Sequence, residues 1–478
     1  MSSTYASAPA PVEGDAPGGR GLARLAYRFT AISEKWFPDA FVFVALALVV
    51  VVVANLATGA QPLEIADAFG KGFWTLIPFT MQMALVAITG YVVATSGPCT
   101  RLIARLASVP TSSRGAVAWV AFITMSASYL NWALSLVLGG LLVRAIARRT
   151  DIKVDYRAAG AAAYLGLGAT WALGLSSSAA MLQANPASLP KSISDISGVI
   201  PLSQTIFLWQ SIVMLLIIAA MAITIAYFSA PQGAQIKTAE DMGCDVTEAN
   251  TKEQKQTRPG EWLEFNFILP ALVVLLAAGY AYVEFSTNGV LATISNLNNY
   301  NFFFLMIGLL LHGNIRSFLT AVTKAVPTTA GVIIQFPFYA AIAALLTQVP
   351  GSDGVTISHH ISHLFVSIAN TSIFPVVIGV YSSILGFLVP SGGGKWIIEA
   401  PYVLQTAADL NAHMGWAIEV YNAAEALPNL INPFWMLPLL GVLGLRAKDL
   451  VGFCFTQLIF AFPLVMFLLW VLAPAANP

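Results

Sequence analysis

The sequence predicts an all-α polytopic membrane protein, an inverted repeat with two re-entrant helical hairpins and broken helices. Three observations carry that prediction. Of 478 residues, 57% are hydrophobic and only 10% are charged, whereas a soluble surface needs about a quarter. Apolar runs of spanning length recur along the chain, and backbone in lipid must bond internally, so each run is helical. Lys and Arg gather in particular loops, as they do on the cytoplasmic side of a membrane. The same composition excludes a soluble enzyme, a nucleic-acid binder and a disordered protein. Cys99, Cys244 and Cys454 are odd in number and far apart, so neither a disulfide framework nor a zinc site is expected.

Residues 1–25 are poor in apolar runs and rich in Ala, Pro, Gly and Ser, and read as a disordered tail. The first apolar run, 41–57, begins too late for a cleaved signal peptide and reads as a retained span. Arg20, Arg24, Arg28 and Lys35 precede it and place the N-terminus in the cytoplasm. A second run covers 76–94. Loop 95–116 then carries Arg101, Arg105 and Arg114, and loop 143–157 carries Arg144, Arg148, Arg149, Lys153 and Arg157. A single crossing between two basic loops would put one of them outside. Run 117–142 is also interrupted by polar residues from Ser126 to Asn131, so it reads as a hairpin opening to the cytoplasm. Runs 158–175 and 205–228 complete a first repeat, 26–228.

The charged stretch 229–264 reads as a solvated cytoplasmic linker, and 265–297 as one linking span. That odd span inverts the second half of the chain. The second repeat, 298–478, has spans at 298–312 and 328–347, a hairpin at 373–405, a broken span at 418–445 and a last span at 450–473. Loops 348–372 and 406–417 hold no Lys or Arg, so the second hairpin opens outward. On this map all but Lys71, Lys191 and Lys395 of the 23 basic residues are cytoplasmic.

Polar chemistry recurs in the same order. Gln82 and Gln335 occupy matching spans and are candidates for gating or support, and Asn185-Pro186 and Asn432-Pro433 occupy the two broken spans. Interrupted segments at corresponding positions of an inverted repeat point to a secondary transporter. Four segments combine polar residues with backbone breakers at membrane depth: Ser126–Ser135, Gly174–Pro186, Pro390–Pro401 and Tyr421–Pro433. A helix start presents free N–H groups that suit a carboxylate, and an unwound stretch presents carbonyls that suit a cation. The candidate substrate-binding residues are therefore Asn131, Trp132, Ser176, Ser177, Ser178, Ser391, Gly392, Gly393, Gly394, Lys395, Asn429 and Asn432. Trp132, Trp396 and Phe434 are the apolar neighbours for a short alkyl tail.

Lys395 either attracts an anion or pairs with Glu399. Glu425 is the clearest intramembrane acid and, with Asn185, the candidate for ion coupling. Glu419 lies nearer the outer mouth and reads as solvated. His359, His360 and His363 fall on an amphipathic segment, 355–369, and read as surface histidines rather than a metal site; their role is open. Thr100–Val109 is the amphipathic counterpart in the first half. No P-loop, dinucleotide fingerprint or nucleophile–His–acid set occurs, so no cofactor and no catalytic residue is expected.

Phe73-Trp74, Met81 to Leu85 (MQMAL), Gln335 to Ala340 (QFPFYA), Val389 to Gly394 (VPSGGG) and Pro433-Phe434-Trp435 resemble the short-chain fatty acid transporter family, the acetoacetate/butyrate permease type. The resemblance runs in order from about Ala26 to the last span. It implies uptake of short-chain carboxylates across the bacterial inner membrane. It also implies the fold of the ion-transporter superfamily, with opposed hairpins, an elevator-like movement and a homodimer. Sodium-coupled members of that superfamily carry Ser-Asn-Thr at the hairpin tips. Here the tips are Tyr129-Leu130-Asn131-Trp132 and Pro390 to Lys395, so sodium coupling does not carry over. The expected function is import of a monocarboxylate such as acetoacetate or butyrate by cation symport, the proton favoured over sodium. The rivals are a sodium-coupled carrier of larger or dicarboxylic acids and a membrane-embedded enzyme or assembly subunit. The first lacks a second fixed positive clamp, and the second lacks a catalytic constellation.

Overall fold

A computed structural model describes residues 40–247, 258–388 and 391–475. The expected tail at 1–25, the middle of the linker and Pro390 lie outside the described residues. Among those described, the chain is all-helical, with one isolated antiparallel bridge, Pro350 to Thr356. Among the described residues six helices are long and apolar enough to cross a bilayer.

The first half begins with α1 (Ala40–Ala57), α2 (Pro62–Phe73) and α3 (Ile77–Ala94). Pro62 starts α2 where its missing N–H costs nothing, and Glu64 and Lys71 sit at the ends that suit their charges. A short amphipathic α4 (Gly97–Ser108) leads to α5 (Ser113–Leu130) and α6 (Trp132–Ala147). These last two pack on each other, and Ser135 Oγ donates to the Thr124 carbonyl at 2.9 Å, so the chain reverses at Asn131. Then α7 (Tyr156–Leu165) loosens into a π turn, Gly166–Thr170, and a 3-10 turn, Trp171–Leu173. Gly174 is extended, and the chain restarts as α8 (Ser178–Gln183). Helices α9 (Lys191–Ser197) and α10 (Trp209–Ser229) close the half.

After α11 (Trp262–Phe265), the long α12 (Ile268–Ser295) joins the halves; it is only 11% buried and breaks its helical geometry at Gly289, φ +76°. The second half repeats the order of elements. It comprises α13 (Leu297–His312), α14 (Ile315–Ala325), α15 (Ala330–Thr347), α16 (Ile357–Ile368), α17 (Phe374–Leu388), α18 (Gly392–Asp409), α19 (Met414–Asn429), α20 (Pro433–Leu443) and α21 (Ala447–Val471). The chain reverses between α17 and α18, because Tyr381 and Tyr402 hydroxyls meet at 2.9 Å and Thr371 Oγ1 donates to the Leu410 carbonyl at 2.8 Å.

Packing partners recur as well. The second arm of each hairpin lies on the preceding span and amphipathic helix, α6 on α3 and α4, α18 on α15 and α16. The first arm lies on the broken span, α5 on α7 and α17 on α19. The segment from Tyr156 to Gln183 is 94% buried, so the broken spans form the interior and α12 the periphery.

Four expectations change. The stretches containing α2 and α14 were expected as loops; each is an amphipathic helix of 12 or 11 residues, too short to register as a span. The linker is not wholly solvated: Asp155 accepts from Lys237 N at 3.0 Å, and Arg144 donates to the Thr247 carbonyl at 3.1 Å, which docks 237–247 on the helical body. Pro401 does not break α18, since the helix is continuous from Gly392. Helix α19 likewise runs unbroken past Tyr421, and the break is confined to Leu430–Asn432.

Candidate functional site

Asn131 builds the first hairpin tip. Its Oδ1 accepts from Ala133 N and Leu134 N, both at 2.9 Å, as an N-cap does. Its Nδ2 donates to the Val86 carbonyl at 3.1 Å and to Tyr300 Oη at 3.2 Å. The remaining first-turn N–H, that of Trp132, reaches Ser176 Oγ at 3.0 Å. Asn131 and Ser176 therefore lock the tip to α3, α13 and the unwound stretch before α8. Gly90 makes room, since a Cβ there would lie 2.2 Å from Asn131 Oδ1.

The second tip is built differently. Ser391 Oγ accepts from Gly394 N at 3.2 Å and caps α18. The first turn is Gly392, Gly393 and Gly394, all buried. Neighbouring rings rest directly on this backbone. A Cβ on Gly392 would lie 2.3 Å from the Trp171 ring, and one on Gly394 would lie 2.0 Å from the Tyr339 ring. A Cβ on Gly393 would touch Phe79, Ser178 and Phe336 at 3.1 to 3.2 Å. Tyr339 Oη donates to Gln335 Oε1 at 3.3 Å, so Gln335 supports the ring that covers the tip.

One turn beyond this tip, Lys395 forms a fully buried ion cluster. Its Nζ lies 2.9 Å from Glu425 Oε2 and 3.1 Å from Glu399 Oε1. It also donates to Ser382 O at 2.9 Å and Ser382 Oγ at 2.7 Å, and stands 4.4 Å from the centre of the Tyr421 ring. Tyr421 Oη in turn donates to the Gly392 carbonyl, tying cluster to tip. The pairing of Lys395 with Glu399 at i,i+4 was legible; the convergence of Glu425 from α19 was not.

The remaining candidates divide into separate groups. Ser177 Oγ donates to Asn422 Oδ1 at 3.0 Å, and Asn422 Nδ2 donates to Glu419 Oε1 at 2.9 Å. Glu419, expected in solvent, is fully buried, because α8 and the start of α10 cover that face of α19. Ser178 Oγ faces Met83 Sδ at 3.5 Å. Asn185 is engaged locally, donating to Ser188 Oγ at 3.2 Å; Ser188 donates to Gln82 Oε1 at 2.8 Å and Gln82 to Asn298 Oδ1 at 2.8 Å. Asn429 sits at the far end of α19, where its carbonyl accepts from Tyr164 Oη at 2.6 Å; neither atom of its buried side-chain amide has a hydrogen-bond partner among the described residues. The indole N–H groups of Trp171 and Trp396 are in the same condition. Asn432 is buried in the α19–α20 break, and Trp132 meets Trp435 edge to face at 5.9 Å. The side chain of Phe434 lies outside the described residues.

Trp171, Ser382 and Gly386 were not singled out in the sequence, and Tyr339 and Tyr421 stood out only within the QFPFYA motif and at the edge of the Tyr421–Pro433 segment. A Cβ on Gly386 would lie 2.8 Å from Glu425 Oε2, so its absence lets Glu425 reach Lys395. Their roles have no local sequence signal, since each acts across a helix contact. His359 and His363 ring nitrogens lie 2.9 Å apart on the exposed face of α16, and His360 pairs with Asp353 at 3.1 Å. Among the described residues no group of three His, Cys, Asp or Glu is placed to hold a metal.

Solved structures share this fold. Neisseria gonorrhoeae MtrF, from a study describing a class of antimetabolite efflux pumps, superposes with TM-score 0.58 at 12% identity, covering 94% of this chain and 98% of that one. The Alcanivorax borkumensis YdaH transporter superposes with TM-score 0.53 at 16% identity, covering 91% and 100%. At these identities the likeness is one of fold. Sequence relatives are nearer. An Escherichia coli K12 protein assigned as a short-chain fatty acid transporter is 33% identical over 443 residues, covering 92% of this chain and 97% of its own length. A Haemophilus influenzae protein of the same assignment is 33% identical over 450 residues, covering 93% and 98%. The sequence profile of the family described as Short chain fatty acid transporter matches residues 21–472. With several helices apolar enough to span a bilayer and with a family and relatives named as transporters, this chain is a multi-pass membrane protein and belongs to the short-chain fatty acid transporter family.

Proposed function

We propose that the protein is a secondary active carrier that imports short-chain fatty acids or related monocarboxylates, acetoacetate and butyrate among them, by proton symport. The observation that carries this reading is the buried cluster in which two carboxylates, Glu399 and Glu425, share the single ammonium of Lys395. One carboxylate is in excess, and an uncompensated buried charge is costly, so the cluster holds a proton readily. Glu425 is the member on a different helix from Lys395, and its partner is lost when the two helices part.

The substrate carboxylate meets the start of α18, where the first-turn N–H groups of the buried Gly392 and Gly393 have no intrahelical partner and the helix dipole favours an anion. At the first tip the equivalent N–H groups are already held by Asn131 and Ser176. The aromatic rings of Trp171, Phe79 and Phe336 around the second tip suit a short alkyl chain. In this conformation those rings are closed onto the glycines, so substrate enters when the tip separates from α15.

The placement of Lys and Arg favours hairpins that re-enter the membrane from opposite sides, an N-terminus in the cytoplasm and residence in the bacterial inner membrane. The recurring order and packing of elements favours an inverted repeat in which the hairpins and broken spans move against the remaining helices as an elevator, in a homodimer.

The test is uptake of labelled butyrate and acetoacetate by liposomes containing the purified protein, under separate proton and sodium gradients. A proton gradient is expected to drive accumulation. Glu425→Gln should abolish that accumulation and leave counterflow exchange. Accumulation undiminished in Glu425→Gln, or driven by sodium alone, overturns the coupling assigned here.

A further inference from the structure

Glu419 presents the reverse of the Lys395 problem. It is fully buried, yet among the described residues no Lys, Arg or His lies beside it. The groups around it are Asn422 from its own helix, Ser211 from α10 and Tyr129 from α5, with Ser177 from the start of α8 behind Asn422. All four are uncharged. Asn422 Nδ2 donates to Oε1 at 2.9 Å, while Oε2 has no hydrogen-bond partner among the described residues. Ser211 lies beside the carboxyl group, and its hydroxyl proton is donated to the Thr205 carbonyl at 2.8 Å.

That set suits a carboxylic acid and not a carboxylate. A neutral acid needs one donor for its carbonyl oxygen, which Asn422 supplies, whereas a carboxylate needs donors at both oxygens and finds one. A carboxylate buried with a single amide donor and no cation is costly. Glu419 is also wired to both hairpin tips. Asn422 accepts from Ser177, whose Oγ caps α8 through Ala180 N at 3.3 Å. The flanking residues Ser176 and Ser178 touch Trp132 of the first tip and Gly393 of the second. An ionised Glu419 draws the Asn422 amide and the Ser177 hydroxyl toward itself and loosens the cap between the tips.

We propose that Glu419 is a second, exchangeable proton site of the carrier, separate from the Lys395 cluster. It gains one proton from water when the outer end of α19 is accessible, becoming a neutral acid, and returns it to water on the other side. This rests on the carrier reading above only for its place in the cycle. Glu425 lies six residues further along the helix, about 9 Å and on another face, so the two acids load independently.

Infrared difference spectroscopy on the purified full-length protein, titrated with acid and base, reads the protonated carboxyl C=O stretch directly. A pH-dependent band is expected in the wild type, lost in Glu419→Gln, retained in Glu425→Gln, and displaced along the pH axis in Glu419→Asp. In liposomes the ratio of protons to butyrate is expected to fall by one in Glu419→Gln. The proposal is overturned by a spectrum that Glu419→Gln leaves unchanged. A Glu419 band that never varies with pH, as for a fixed structural acid, also overturns it. So does a band that sodium removes at constant pH. A wild type that moves no butyrate under any gradient overturns the carrier reading instead, while the infrared band still decides Glu419.

Discussion

Lys395 Nζ and Glu425 Oε2 meet 2.9 Å apart across the contact of α18 with α19, with neither side chain reaching solvent. The pair joins the hairpin arm behind the second tip to the second broken span. Glu399 completes the cluster from one turn along α18, and the Tyr421 ring covers the ammonium. A buried ion pair contributes little net stability compared with apolar side chains of like size, but breaking one is costly.

Lys395→Met is therefore expected to destabilise by about 3–5 kcal/mol, because it leaves two acids without a cation. Adding Glu399→Gln and Glu425→Gln should recover most of that loss. Thermal unfolding in detergent measures both. A single variant as stable as the wild type would show that the cluster is already neutral without Lys395.

Gly386→Ala places a methyl 2.8 Å from both Glu425 Oε2 and Pro428 Cγ. It should cost about 1–3 kcal/mol by overpacking and push Glu425 off Lys395. Butyrate uptake driven by protons should then fall as in Glu425→Gln, with exchange retained. Normal proton-driven accumulation would show that Glu425 need not touch Lys395.

The second tip closes only because Gly394 has no side chain. In Gly394→Ala the methyl meets the Tyr339 ring at 2.0 Å, so the closed tip should be lost and transport with it. Trimming the ring with Tyr339→Ala in the same chain should restore closure in part, a coupling of about 0.5–3 kcal/mol in a double-mutant cycle. Additive effects on melting and uptake would place the contact outside the working cycle.

At the first tip, Asp caps exposed helices as well as Asn does. Asn131 also donates to Val86 O and Tyr300 Oη, which an ionised Asp cannot do. Asn131→Asp is thus expected to be at least as damaging as Asn131→Ala. An Asp variant near wild-type stability would reduce Asn131 to a simple cap.

These residues also show what was legible beforehand. The chain reversal at Asn131 was readable because two basic loops flank one interrupted run. The role of Asn131 was not, since the same short polar side chain serves a helix cap and a ligand, and only its neighbours Val86, Tyr300 and Ser176 decide between them. Helices α2 and α14 were passed over because 12 and 11 amphipathic residues resemble a polar loop on a hydropathy scale. Glu419 was misplaced because distance along a helix says nothing about what covers its face; Ser177 and Ser211 arrive from more than 200 residues away. Lys395 and Glu399 were visible as an i,i+4 pair, while Glu425 needed the absence of a side chain at Gly386.

The exposed linking helix has a consequence for the bilayer itself. From Ile268 to Asn288, α12 runs 21 residues before Gly289 turns it, a length of about 32 Å against a hydrocarbon layer of about 30 Å. Glu284 stands near that end, held by Asn288 at 3.1 Å and Asn299 at 3.0 Å. Little protein covers this helix, so its length is matched to lipid thickness rather than to a neighbour. A thinner or thicker membrane acts on it first, through tilt or through local deformation of the lipid, and α12 packs directly on α13, whose Tyr300 anchors the first hairpin tip.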